Sequence, residues 1–224
     1  MSGVREKTIS RKDQILRAAQ NFFYTLGYEK TSIQDIIDEV GIAKGTFYHY
    51  FRSKTDLLDS VVTMMFSEAM SRIVPELQDG TERASSKFRK LFRSIAMWKI
   101  RNRDLFRELI SVLYRDDNIV LRHKMMTHSM AILIPVLEDI ISQGVSEGEF
   151  HVESPYDSAV VLLNLSSSMG ESMGITIAER LDDPDLAKDI ARQVHVSERA
   201  IERILGADEG TLKIFQPELI ELFL

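Results

Sequence analysis

Apolar positions in this chain recur at intervals of three and four residues, the signature of one buried stripe on an α-helix. Ile15, Ala18, Ala19, Phe22 and Leu26 mark the first stripe, and Gly27 ends it. Thr31-Ser32-Ile33-Gln34 reads as a capping box, with Thr31 as N-cap and Gln34 reaching back to it. Ile33, Ile36, Ile37 and Val40 then form the apolar face of a two-turn helix stopped by Gly41. A short helix is predicted over about Lys44 to Tyr50, with Phe47 and Phe51 one turn apart. Ser53 caps a longer one carrying Leu58, Val61, Val62, Met65 and Ala69.

The pattern continues beyond the polar break Gln78-Asp79-Gly80-Thr81. Phe88, Leu91, Phe92 and Ile95 make one stripe, and Leu105, Leu109, Val112 and Leu113 the next. A long one runs through Met126, Met130, Leu133, Ile134, Leu137 and Ile141 to a stop at Gly144 or Gly148. Pro155 and Pro184 open two further helices, since proline suits the first helical turn. There is no sustained period-two alternation, no Asn-Gly hairpin signal and no internal repeat. These patterns predict an all-α protein of nine or ten helices.

Composition narrows the chemistry. The 224 residues include no cysteine, which excludes disulfides, thiolate metal sites and cysteine nucleophiles. The first residues lack the apolar stretch of a secretory signal, and the run Ala159 to Leu163 is far too short to span a bilayer, so a cytoplasmic protein without a membrane segment is expected. The formal net charge of -6 conceals an asymmetry. Residues 1–55 hold nine Lys/Arg against six Asp/Glu, whereas the remainder holds 19 against 28. The mildly basic segment is the one compatible with a polyanion.

Within that segment, two short helices joined by Gly41-Ile42-Ala43 have the size of a helix-turn-helix. Gly41 supplies the left-handed conformation a tight turn needs. Ile36, Ile37, Val40, Ile42 and Phe47 are placed to lock the helices together. The second helix keeps Lys44, Thr46, Tyr48 and His49 outward, and Gly45 leaves room for a phosphate backbone. Such a helix fits a major groove, with Lys44, Tyr48 and Lys54 suited to phosphates.

The stretch from Thr31 to Ile37, the run Val40-Gly41-Ile42-Ala43-Lys44-Gly45-Thr46-Phe47-Tyr48-His49-Tyr50-Phe51 and the following Ser53-Lys54-Thr55-Asp56-Leu57-Leu58 resemble the DNA-binding domain of TetR/AcrR-type regulators. The resemblance covers about residues 11–60 and shows no departure from the family pattern. It implies a homodimeric transcription factor, usually a repressor, that leaves operator DNA when a small molecule binds its C-terminal helices. It also implies that Thr31, Lys44, Gly45, Thr46, Tyr48, His49, Tyr50 and Lys54 lie at or near DNA. Residues 1–10 are then expected as a flexible arm, with Arg5, Lys7, Arg11 and Lys12 close to the phosphates. Residues 11–56 would be the DNA-binding domain, its motif at about 32–51, and residues 57–224 the effector-binding and dimerisation domain. The alternative kept open is an all-helical small-molecule-binding enzyme or carrier without operator binding.

The C-terminal part offers weaker signals. Met97, Trp98, Tyr114, Met130 and Met169 are candidates for lining an effector pocket, because large and pliable apolar side chains adapt to apolar ligands. Nine Lys/Arg between Arg83 and Arg107 form a basic stretch, either a solvated face or a contact for an anionic effector. Leu186 to Ile201 has some helix-turn-helix flavour, but residues 151–224 hold fourteen acids against six bases, the wrong sign for a phosphate-facing surface. It is expected instead as a continuous helix of about 185–205 packed on that of 156–181, the two forming a dimer interface. His123 and His128 are five apart and diverge on a helix. No metal, cofactor or catalytic signature is present, and none is expected.

Overall fold

The computed structural model describes residues 10–78, 80–113, 119–180 and 183–214. Its elements run α1 (Arg11–Thr25), α2 (Ile33–Val40), α3 (Lys44–Tyr50), α4 (Lys54–Glu76), α5 (Ala84–Arg101), α6 (Arg103–Leu113), α7 (Ile119–Ser146), α8 (Pro155–Arg180) and α9 (Leu186–Leu205). The all-α expectation holds: the described residues form nine helices and no strand. They divide into two compact units between Met65 and Phe66, a division that falls inside α4.

The N-terminal unit buries Ile15, Leu16, Ala19 and Phe23 of α1, Ile36 and Ile37 of α2, Phe47 of α3, Phe51, and Leu57, Leu58, Val61 and Val62 of α4. The inner face of α1 therefore differs from the expected stripe. Phe23 points inward in an edge-on contact with Tyr28, ring centroids 5.4 Å apart, while Leu26 is exposed. Tyr28, one residue past Gly27, offers a partner that phase counting along α1 alone does not contain.

Phe66 and Met70 of α4, Phe88 and Leu91 of α5, Leu137, Ile140 and Ile141 of α7, Leu162 of α8, and Ile201 and Leu205 of α9 share the main core of the C-terminal unit. Phe150 closes that core in the α7–α8 connection. A Cβ at Gly144 would stand 2.1 Å from its ring, so only glycine fits there. Ile177 of α8 and Leu186, Ile190 and Val194 of α9 make a second cluster, and α9 is one continuous helix packed on α8, as the acidic segment suggested. The N-terminus of α5 is capped from a distance, Ala84 N donating to Glu147 Oε2 and Ser85 N to Glu149 Oε2, each at 2.9 Å.

Among the described residues one helical segment, Arg122–Ser146, is long and apolar enough by length and composition to cross a membrane. Here the segment supplies Leu137, Ile140 and Ile141 to the core and contains Pro135.

Candidate DNA-binding face

The α2–turn–α3 unit is built around Gly41, whose φ of 67° places it in the left-handed region. That conformation lets Ile42 N donate back to Ile37 O at 3.2 Å and turns the chain toward α3. Phe47 is fully buried, its ring 5.8 Å from that of Phe51, so α3 is anchored along one side only. The other side is open. Lys44, Gly45, His49 and Tyr50 are exposed, as is Tyr48 at 46 %, and Thr46 is half-buried. Tyr48 stands edge-on to Phe47 at 5.3 Å, so its ring is steadied against the buried anchor of α3. A Cβ built at Gly45 meets no atom within 4 Å, leaving the helix surface bare there.

Two expected contact residues stand differently. Thr31 is neither the N-cap of α2 nor a surface residue: it is 1 % exposed, and its Oγ1 donates to Gly27 O at 2.9 Å. The cap is Ser32, in a reciprocal box with Asp35. Asp35 N donates to Ser32 Oγ at 3.1 Å, and Ser32 N donates to Asp35 Oδ2 at 2.8 Å. The sequence contains both Thr31-x-x-Gln34 and Ser32-x-x-Asp35. Spacing alone does not choose between them, whereas the inward turn of Thr31 does. Hydrogen bonding from the Ser32 backbone N–H, and then from its side chain, holds the Asp35 carboxyl below the usual carboxylate range.

Lys54 is half-buried, with Nζ 4.2 Å from the Tyr28 ring centroid and donating to Glu29 O at 3.2 Å. It ties the start of α4 to the α1–α2 loop. That start is capped as expected, Asp56 N donating to Ser53 Oγ at 3.0 Å. Ser32 and Arg52 are exposed on the same unit, although residue type alone did not mark them as candidates. Arg5 and Lys7 of the expected arm lie outside the described residues.

Among the effector candidates, Trp98 and Met130 are half-buried against the main core. Trp98 sits between Phe66 and Phe106, with ring centroids at 5.4 and 5.1 Å. Met97 and Met169 are half-buried and belong to neither apolar cluster, while Tyr114 lies outside the described residues. No group of three or more metal-ligating side chains occurs among the described residues.

Two family profiles match the chain, "Bacterial regulatory proteins, tetR family" over residues 15–61 and "Tetracyclin repressor-like, C-terminal domain" over residues 102–173. The HTH-type transcriptional repressor KstR2 of Mycolicibacterium smegmatis is 27% identical over 162 residues, covering 66% of this chain and 71% of that protein. The fatty acid metabolism regulator protein of Bacillus subtilis is 26% identical over 138 residues, 61% of this chain and 69% of its own. Thermus thermophilus FadR, a TetR-family repressor solved in complex with lauroyl-CoA, shares the fold with a TM-score of 0.62 at 20% identity, over 84% of this chain and 93% of that one.

Proposed function

This chain belongs to the TetR family of bacterial regulatory proteins, and on that premise we propose how its two units divide the work of a DNA-binding transcriptional regulator. The family consists of DNA-binding regulators, which sets aside the reading as an enzyme. In our reading, residues 11–56 read operator DNA and the remainder binds an effector and a second copy of the chain. The observation that carries this is the one-sided anchoring of α3. Phe47 and Phe51 are buried, while Lys44, Gly45, Tyr48, His49 and Tyr50 lie open on the surface. We place those five residues and Thr46 against the major groove and its phosphates, with Lys54 bracing the unit and reaching a phosphate with its remaining donors. Thr31 is left out, because its hydroxyl is already spent on Gly27.

Dimerisation through α8 and α9 is supported by their exposed apolar side chains, Tyr156, Val161, Ile175 and Val196, which a second copy would cover. Repression relieved by a small molecule is the mode we assign: an effector among α5 to α8 favours a spacing of the two α3 helices that no longer matches successive grooves. Since one curated relative is named for fatty acid metabolism, fatty acyl compounds are the first effector class to screen. A cytoplasmic location follows from work on chromosomal DNA.

The test is selection of genomic fragments by the full-length protein, followed by affinity measurements on the enriched site across a salt series. Enrichment of one site, with affinity falling steeply as salt rises, is expected. Absence of enrichment, or an affinity flat in salt, overturns the assignment.

A further inference from the structure

Glu82, Ser86, Arg89, Lys90 and Arg93 recur at helical spacing and share one flank at and just before the first half of α5. Across from them runs the segment that follows α9, where Lys213 and Ile214 form the opposite wall of a cleft of about 400 Å³. Four of the seven lining residues are cations, and one is a carboxylate. That carboxylate is engaged: Glu82 accepts from Ser86 Oγ at 2.7 Å and lies 3.4 Å from Lys90 Nζ. Arg93 and Lys213 have no carboxylate of another described residue within ion-pair distance.

The far wall is held in place by its neighbours. Leu212 N donates to Glu202 Oε1 at 3.1 Å, Ile214 N donates to Glu198, and Thr211 O accepts from Arg89 Nη1 at 2.7 Å. Leu212 and Ile214 are buried in the core, so Lys213 between them is turned out toward α5. Lys213 has a φ of 22°, the one positive value at a non-glycine among the described residues. Like charges fixed around an open cleft work against stability, and such clustering together with local backbone strain is characteristic of ligand clamps.

We propose that this cleft binds a small anion bearing two or more linked phosphates, gripped by Arg89, Lys90 and Arg93 from α5 and by Lys213 from the facing segment. Guanidinium forks match phosphate oxygens in pairs, and four cations against one carboxylate suit a charge greater than that of a monocarboxylate. Ile214 is the one apolar lining residue, so the cleft reads charge rather than an apolar body. It shares no residue with the effector candidates Met97, Trp98, Met130 and Met169, and so constitutes a second small-molecule site. A bound anion joins α5 to the segment after α9 and tightens the end of the C-terminal unit.

The experiment is calorimetric titration of the full-length protein with inorganic pyrophosphate at constant ionic strength. It is repeated on Arg93→Ala/Lys213→Ala and on a charge-matched control, Arg72→Ala/Lys188→Ala, whose cations are exposed elsewhere. Among the described residues neither Arg93 nor Lys213 makes a side-chain hydrogen bond or ion pair, and a circular dichroism melt verifies that both variants fold. One-to-one binding is expected, weakened about tenfold or more in the cleft variant and little changed in the control. Affinity for duplex DNA stays the same in both variants. Absent binding, or a cleft variant weakened no more than the control, overturns the proposal. A cleft variant that loses DNA affinity also overturns it, assigning these cations to the phosphate backbone instead. Retained DNA binding in a protein that ignores pyrophosphate leaves the regulator reading standing, so the two failures are distinguishable.

Discussion

Lys54 lies over Tyr28, its ammonium 4.2 Å from the ring centroid while it donates to the carbonyl of Glu29. A lysine that we propose for a phosphate contact therefore also fastens α4 to the α1–α2 loop. Its replacement and that of Lys44 have different consequences. Lys54→Ala lowers unfolding stability by about 1 kcal/mol, the scale of one cation–π contact plus a hydrogen bond. Lys44→Ala, at an exposed site, leaves stability unchanged and reduces the salt slope of DNA binding by about one. Urea unfolding and a salt series on both variants check this. Equal stability losses refute the distinction.

Tyr48→Ala weakens DNA binding by about tenfold while helicity and stability change little, because the side chain is exposed and its aromatic contact is an edge with Phe47. Tyr48→Phe separates the hydroxyl from the ring. If the hydroxyl meets a phosphate, Phe shares most of the defect of Ala. Phe47→Ala, by contrast, unfolds the unit, with a loss of about 3–5 kcal/mol for a fully buried phenylalanine. Fluorescence anisotropy on the selected operator and thermal melts separate these outcomes.

Much of the N-terminal unit was legible because its signals are local. Gly41 needs a left-handed turn, Ser53 caps α4, and Phe47 and Phe51 repeat one turn apart, all within a few residues. What helical phase could not decide was set by partners in the loop between α1 and α2. Phe23 rather than Phe22 faces inward because Tyr28 meets it, and Thr31 turns in to Gly27, which shifts the cap to Ser32. In the C-terminal unit the helices were visible but the site was not. Arg89 and Arg93 stood out only as part of a charged run, and nothing along the chain places Lys213, over a hundred residues away, across from them.

The identity of the α2 cap is open to direct measurement. Ser32→Ala removes the acceptor of Asp35 N and costs about 1 kcal/mol, within the range for lost N-caps. Thr31→Val keeps the shape of a buried side chain while removing its bond to Gly27 O, at a similar cost from a different cause. Thr31→Ser, which retains the hydroxyl, recovers that part. Restoration by serine at 31 together with no effect of Ser32→Ala would return the cap to Thr31.

Two of the carboxylates that confer acid sensitivity cap helices. The backbone N–H of Ala84, with help from the Gln143 amide, holds the Glu147 carboxyl below its ordinary value, and Ser32 does the same for Asp35. A carboxyl whose value is depressed in the folded state binds fewer protons there than in the unfolded chain, so its stabilisation is complete above the unfolded value. It is lost as pH falls through the folded one, a window that for Glu147 opens below about pH 4.5. Glu147→Gln keeps a side-chain acceptor for Ala84 N but cannot titrate. Its stability is therefore lower than that of the parent near neutral pH and converges on it as the medium is acidified through that window. Urea midpoints measured from neutral pH down to pH 3 check this, and a difference that stays constant across the series refutes the assignment of the capping charge to Glu147.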